Sequence, residues 1–432
     1  MKDGCTHIEM RHHEIGLAAD PSRVVLRPFS IISEPRGTAY GVVTRAERIA
    51  RAVLEMTDEE VREQLERVDA DFHGRHWQTH AIFMERFKQI RHVIGDLADV
   101  DADTAKLIGA YFSHEYSYAA AAIMNPSIVP HPDQSGCNNG SVKFVMSLRT
   151  VGEGHISSIA FREGVASHDH FSLWPEPQFA IAAVPDPHDP DGGPVTVRRH
   201  ESAPLSGNVI FPVTRAQSNG LEDLRLVQFT EEDGEKHYYG TYTAYSGREI
   251  SCEMMTTDRF ASFDLTPMRG PAAKHKGLAL FPRRINGRFA AIGRLDSESL
   301  FYLETRDRFE WTHGRMIMAP KYPWELVQLG NCGSPIELDE GWLLLTHGVG
   351  AMRQYAIGAA LLDKKDPSRV LARSDKPFLA PINETREGYV PNVVYTCGGM
   401  KVGDSILIPY AIADSSVKFV TIKSKDLLGA LV

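Results

Sequence analysis

Between Ser218 and Arg225 the chain reads Ser-Asn-Gly-Leu-Glu-Asp-Leu-Arg, which sets Glu222, Asp223 and Arg225 within four residues directly after a turn. A carboxyl beside a guanidinium can hold or release a proton, because the cation lowers its pKa and burial raises it. The same residues also fit a plain surface ion pair, since most charged clusters are solvated. Asn219-Gly220 supplies the turn, as both residue types accept positive φ at little cost. Arg225 to Phe229 then reads as a strand, Thr230 to His237 as a polar loop, and Tyr238 to Tyr245 as the partner strand. Side chains alternate along a strand, so Asp223 and Arg225 are expected to share a face, with Glu222 on the other.

The elements that must hold this stretch divide near residue 120. From Thr44 to about Tyr118 the chain has few glycines and no proline. Apolar residues recur there at helical spacing: Ile49, Val53 and Leu54; Val61, Leu65 and Val68; Ile82, Phe83, Phe87, Ile90 and Ile94. Thr57-Asp-Glu-Glu60 has the form of a capping box, and Asp101 or Asp103 is placed to cap a further helix. Residues 1–120 therefore read as an N-terminal segment with a helical hairpin or small bundle, whose apolar stripe serves a core or a dimer contact. Beyond Asn125 the texture reverses. Short apolar runs, among them Lys143 to Leu148, Ile156 to Phe161, Gln178 to Ala183, Phe289 to Ile292, Trp342 to Thr346, Ala356 to Leu362, Asn392 to Tyr395 and Ile406 to Ala413, alternate with turns such as Asp233-Gly and Asn286-Gly. Many short strands without intervening helices mean a sandwich, a barrel or a propeller. At about 40 to 50 residues per blade, residues 121–432 have room for roughly five four-stranded blades.

Composition narrows the partners. The 432 residues carry a net charge of −9 and no Lys/Arg block, which argues against nucleic acid and anionic membrane. Five scattered cysteines without a Cys-x-x-Cys pair argue against a disulfide scaffold. No signal-peptide core or bilayer-length apolar run occurs, so a cytoplasmic location is expected and the Asn139 and Asn383 sequons are chance matches. None of the 18 histidines has zinc-site spacing, and phosphate-loop, dinucleotide and nucleophile-elbow motifs are missing. The expectation is no metal and no cofactor.

Seven segments occur in an order that resembles glycoside hydrolase family 130: Glu222-Asp-Leu-Arg225, Tyr242 to Arg248, Lys276 to Arg283, Gly330 to Ile336, Gly341 to Gly348, Ile357 to Asp363 and Val390 to Tyr395. The resemblance covers about residues 121–432. It implies a five-bladed β-propeller catalytic domain and inverting attack on a β-mannosidic bond, by phosphate in most members and by water in others. It makes Asp223 the general acid, relaying its proton through a mannose hydroxyl, and it puts Leu224 where the family has proline.

Such chemistry needs an acid on the leaving-group side and a nucleophile from the opposite face; water needs a base, whereas phosphate is already an anion and needs cations. Arg248, Lys276 and Arg294 lie in or beside the family-like segments, His275 and His347 can add donors, and together they form the expected phosphate site. Glu222, Arg225, Tyr242 and Asn331 are the expected mannoside contacts. Glu384 and Glu387, with Glu325, are the carboxylates a hydrolase would use, and each also reads as a loop or cap charge. The expected activity is a β-mannoside phosphorylase releasing α-mannose 1-phosphate, with inorganic phosphate as co-substrate. The alternatives are a β-mannosidase on the same site and a non-catalytic glycan-binding propeller, and the helical segment is a candidate oligomer contact.

Overall fold

The structure, a computed structural model, describes residues 8–29, 44–92, 100–138, 140–382 and 386–432. Ile94, Asn139, Asn383 and Glu384 lie outside the described residues. Among the described residues no helix is long and apolar enough to cross a membrane, and Cys137, Cys252, Cys332 and Cys397 are free thiols. The chain is mostly β with few helices, and it separates into a helical unit (residues 22–117 and 178–182) and a β unit (residues 1–21, 118–177 and 183–432).

The helical unit contains α1 (Arg45–Leu54), α2 (Asp58–Phe72), α3 (Thr79–Ile90) and α4 (Ala102–Tyr111), with a ladder of Val24–Pro28 against Ser113–Ser117. Thr57 and Glu60 close the expected capping box on α2, and Thr44 and Glu47 close another on α1. The Asp101 side chain accepts from the Asp103 and Thr104 amides at the start of α4. Val53, Val61, Leu65, Phe87, Ile90, Leu107 and Ile108 meet in one core. Gly109 permits the close crossing of α4 over α3, since a Cβ there would lie 2.0 Å from the Phe83 carbonyl oxygen.

The β unit is built of five antiparallel meanders. The first three strands of the first are Ala122–Pro130, Val142–Val151 and Ser157–Ala166; the second has Gly220–Thr230, Lys236–Tyr245, Ile250–Thr257 and Ser262–Pro267. The third has Ala279–Leu280, Phe289–Gly293, Leu300–Thr305 and Gly314–Met318, and the fourth Gln328–Asn331, Trp342–Val349, Tyr355–Leu362 and Val370–Arg373. The fifth joins Val394–Tyr395, Ser405–Ile412 and Ser416–Lys423, and Met10–His12 adds to its outer edge. Both faces of these sheets are apolar: along Ser405–Ile412, Ile406 and Ile408 enter one core, and Leu407 and Ala411 the next. Alternation thus produces five cores, between the first and second meanders, the second and third, the third and fourth, the fourth and fifth, and the fifth and first. Of the expected strand Gln178 to Ala183 only Ile181–Ala182 is one; Pro175, Pro177 and Pro185 bracket it and cannot donate to a ladder.

Candidate active site

The register of the Gly220–Thr230 strand breaks where chemistry was expected. Glu222 pairs with Thr243 and Arg225 with Thr241, so that Asp223 and Leu224 together stand opposite Tyr242. This is a β-bulge, with Asp223 in the left-handed region at φ 59°. The bulge resets the alternation. Leu224 enters the core beside Leu221 and Leu226, lying over Gly240, where a Cβ would come within 2.7 Å of its Cδ1. Glu222 and Asp223, expected on opposite faces, instead meet on one guanidinium: Arg149 donates to Glu222 Oε1 at 2.6 Å and to Asp223 Oδ1 at 3.1 Å.

Around this pair the groups interlock. Lys276 Nζ donates to Glu222 Oε2 at 2.6 Å, the Asn125 amide donates to Asp223, and Arg149 Nε donates to Ser157 Oγ at 2.9 Å. Arg225 is buried and donates to Tyr395 Oη at 2.7 Å and to Cys397 Sγ at 3.4 Å. Arg294 donates to the Lys276 carbonyl oxygen from two nitrogens at 3.2 Å. Burial pushes the Asp223 carboxyl up, but Arg149, Lys276 and Arg225, with the Asn125 amide, outweigh it and hold it at about 2. Asp414 behaves in the opposite way. Burial pushes it up to about 6, the charge of Asp223 adds to this, and Arg149 and Arg353 oppose it. Its carboxyl has no hydrogen bond or ion pair among the described residues.

Several expected contacts have other duties. Tyr242 is buried in a core with Tyr238 and Ala244 of the same strand face, where its hydroxyl donates to Glu253 and accepts from Gln217 at 3.1 Å. Asn331 spends its amide on the Gly277 and Ile292 carbonyls and its oxygen on the Gly333 amide, so it positions the Lys276 turn. Asn331→Ala is therefore expected to lower activity about 100-fold, the scale of a 1 Å misplacement, and to raise the phosphate KM if Lys276 contacts phosphate; an unchanged KM would show that the turn holds itself. His347 donates from Nδ1 to the Asn331 carbonyl at 3.1 Å. Burial, then Arg294 and Arg225, push its pKa well below the usual value, so the ring is neutral and Nε2 is an acceptor. Arg248 stands on the exposed turn after Tyr245, outside the buried cations. Glu325 is buried and accepts from Arg373 and the Lys321 and Tyr322 amides, which is a structural role. Glu387 is exposed.

Asn125, Arg149, Asp414 and Tyr395 were not singled out from sequence. Arg149 had a signal, as a cation near the end of an apolar strand. In an antiparallel meander the start of the first strand and the loop between the second and third lie at the same end. Asn125, Asp223 and Tyr395 come from first-strand starts, and Lys276 from just before one. Arg149 and His347 come from second-strand ends; Arg294 and Asp414 come from second-to-third loops. Among the described residues twelve non-glycine residues have left-handed backbone, and nine of these (Asn125, His155, Asp223, Ser297, Met352, Arg353, Asn392, Ala413 and Asp414) lie in the cluster or the loops at this end. Left-handed backbone costs Asn and Asp little, but for His155, Ser297, Met352, Arg353 and Ala413 it is a strain of the kind that clusters at ligand sites.

Comparison with known proteins agrees with the family-like segments. The profile of the family described as beta-1,4-mannooligosaccharide phosphorylase, glycoside hydrolase family 130, matches residues 198–431, more than half of the chain. The chain belongs to this family. It is 31% identical over 230 residues to 1,2-beta-oligomannan phosphorylase of Thermoanaerobacter sp. strain X514, covering 52% of this chain and 75% of that one. It is 29% identical over 231 residues to beta-1,2-mannobiose phosphorylase of Listeria innocua, covering 51% of this chain and 63% of the relative's length. The solved structure of a Listeria innocua beta-1,2-mannobiose phosphorylase bound to beta-1,2-mannobiose has a similar fold, with a TM-score of 0.51 at 21% identity over 72% of this chain and 92% of that one.

Proposed function

We propose that the β unit is a five-bladed β-propeller and the catalytic domain of an inverting phosphorylase of β-mannosides, with inorganic phosphate as co-substrate and no metal or organic cofactor. The cycle of five cores, the last joining the fifth meander to the first, supports the propeller reading. The helical unit then has no part in the chemistry.

The observation that carries the activity is the crowding of Arg149, Arg225, Lys276 and Arg294 around Asp223. Phosphate, drawn to Lys276 and Arg294, attacks the anomeric carbon from the face opposite the leaving oxygen, and Asp223 supplies the proton which that oxygen takes up, leaving α-mannose 1-phosphate. Glu222 keeps Arg149 and Lys276 apart and aimed. By themselves the cations hold Asp223 ionised, which is the wrong form for an acid. A bound phosphate dianion offsets those same cations, so the carboxyl can keep its proton when the nucleophile is in place. A charge-neutral water would leave the acid disarmed.

The test is incubation of β-1,2- and β-1,4-mannobiose with and without phosphate. α-Mannose 1-phosphate is expected only with phosphate, and phosphate at a hundred times its Kd should stabilise the protein by about 2.7 kcal/mol. Free mannose released at full rate without phosphate would replace this reading with hydrolysis. In that case Asp414, whose pKa of about 6 suits a base, is the carboxylate to examine.

A further inference from the structure

We infer that His155 and Tyr389, on two loops flanking the Asp223 cluster, form the platform on which the leaving sugar rests and so select the acceptor; this builds on the phosphorylase reading. His155 stands in the turn between Val142–Val151 and Ser157–Ala166, two residues before the Ser157 that Arg149 holds. Tyr389 lies on the segment leading into Val394–Tyr395. Its neighbours clasp the Asp414 loop: the Val390 amide donates to the Ala413 carbonyl at 2.9 Å, and a Cβ on Gly388 would fall 2.1 Å from Ser415 Oγ. The two side chains therefore join the loop next to Arg149 with the loop next to Asp414.

Their contact suits a sugar surface. His155 Nδ1 and Tyr389 Oη are 3.0 Å apart, and the ring centroids are 6.0 Å apart at 37°. The hydrogen bond occupies the phenol's polar end and fixes the ring, yet Tyr389 remains 42% exposed. A purely structural staple would bury that ring. His155 takes a left-handed backbone (φ 59°) to reach it, a strain tolerated where geometry serves a site. An aromatic face held still and open to solvent packs against the C–H face of a pyranose. Arg353, on the neighbouring left-handed turn and electrostatically coupled to Asp414, supplies a donor for the sugar's hydroxyls.

The experiment runs the reaction in the synthetic direction, with α-mannose 1-phosphate as donor and mannose or mannobiose as acceptor, for wild type, Tyr389→Ala, Tyr389→Phe and His155→Ala. Tyr389→Ala is expected to raise the acceptor KM about tenfold while the donor KM moves less than about twofold; Tyr389→Phe, which keeps the ring, should fall between the two. Acceptor and donor KM rising together, or neither moving, would overturn the platform. If wild type does not use the donor, the activity reading falls on its own, and calorimetric titration with β-1,2-mannobiose decides the platform instead. Binding about tenfold weaker in Tyr389→Ala supports it; equal binding, or none by wild type, overturns it.

Discussion

Asp223→Asn is expected to reduce turnover of an unactivated mannobiose by about 10²- to 10⁴-fold, the loss typical of a general acid. Asparagine is the informative replacement for a structural reason. The position has φ 59°, a left-handed backbone that asparagine accepts readily and most residues do not. The amide also keeps the size of the carboxyl and can still accept from Asn125 and Arg149, while the transferable proton is gone. A normal melting temperature with lost turnover would assign Asp223 to the chemistry. Near-normal turnover would remove it from that role, whatever the fold does.

The second large effect belongs to Arg149. It binds Glu222 and Asp223 at once, and burial works against its own charge until those two carboxylates more than offset the cost. Arg149→Met removes the cation that Glu222 and Asp223 share, breaking a buried ion pair to each, and is expected to cost about 3–5 kcal/mol. The loss should depend on pH with a definite sign. In wild type the Asp223 pKa is depressed from 3.8 to about 2, so its stabilising contribution is present above about 4 and is lost as pH falls from about 4 towards 2. Without that cation, burial is opposed only by Lys276, Arg225 and the Asn125 amide, and the carboxyl pKa is expected to rise above its ordinary value. The variant then gains stability as pH drops through that raised value, where wild type does not. Thermal melts at pH 7 and pH 5 should therefore show the deficit of Arg149→Met narrowing at the lower pH. An equal deficit at both would mean that Arg149 contributes packing rather than charge.

Much of the fold was legible because its signals are local. The Thr57 capping box, the Asp101 cap, and the stripes through Val61, Leu65, Phe83 and Phe87 are written within one helical turn of each residue. Strands such as Lys236–Tyr245 and Tyr355–Leu362 follow from apolar runs bounded by turns. The charged stretch at Glu222 and the later Lys276 and Arg294 could be named as candidates from residue type and family-like order. Their arrangement could not. Asn125 and Asp223 are 98 positions apart, Arg149 and Asp223 are 74 apart, and Arg225 and Tyr395 are 170 apart. Only the packing of one meander against the next brings such strand ends together. The bulge at Asp223 is the sharpest case. A period of two assigns faces only while every residue pairs with one partner, and a single inserted residue put Glu222 and Asp223 on the same arginine. Residue type and order determined which groups were available for the chemistry; the register of one strand and the packing of distant strands decided which of them meet.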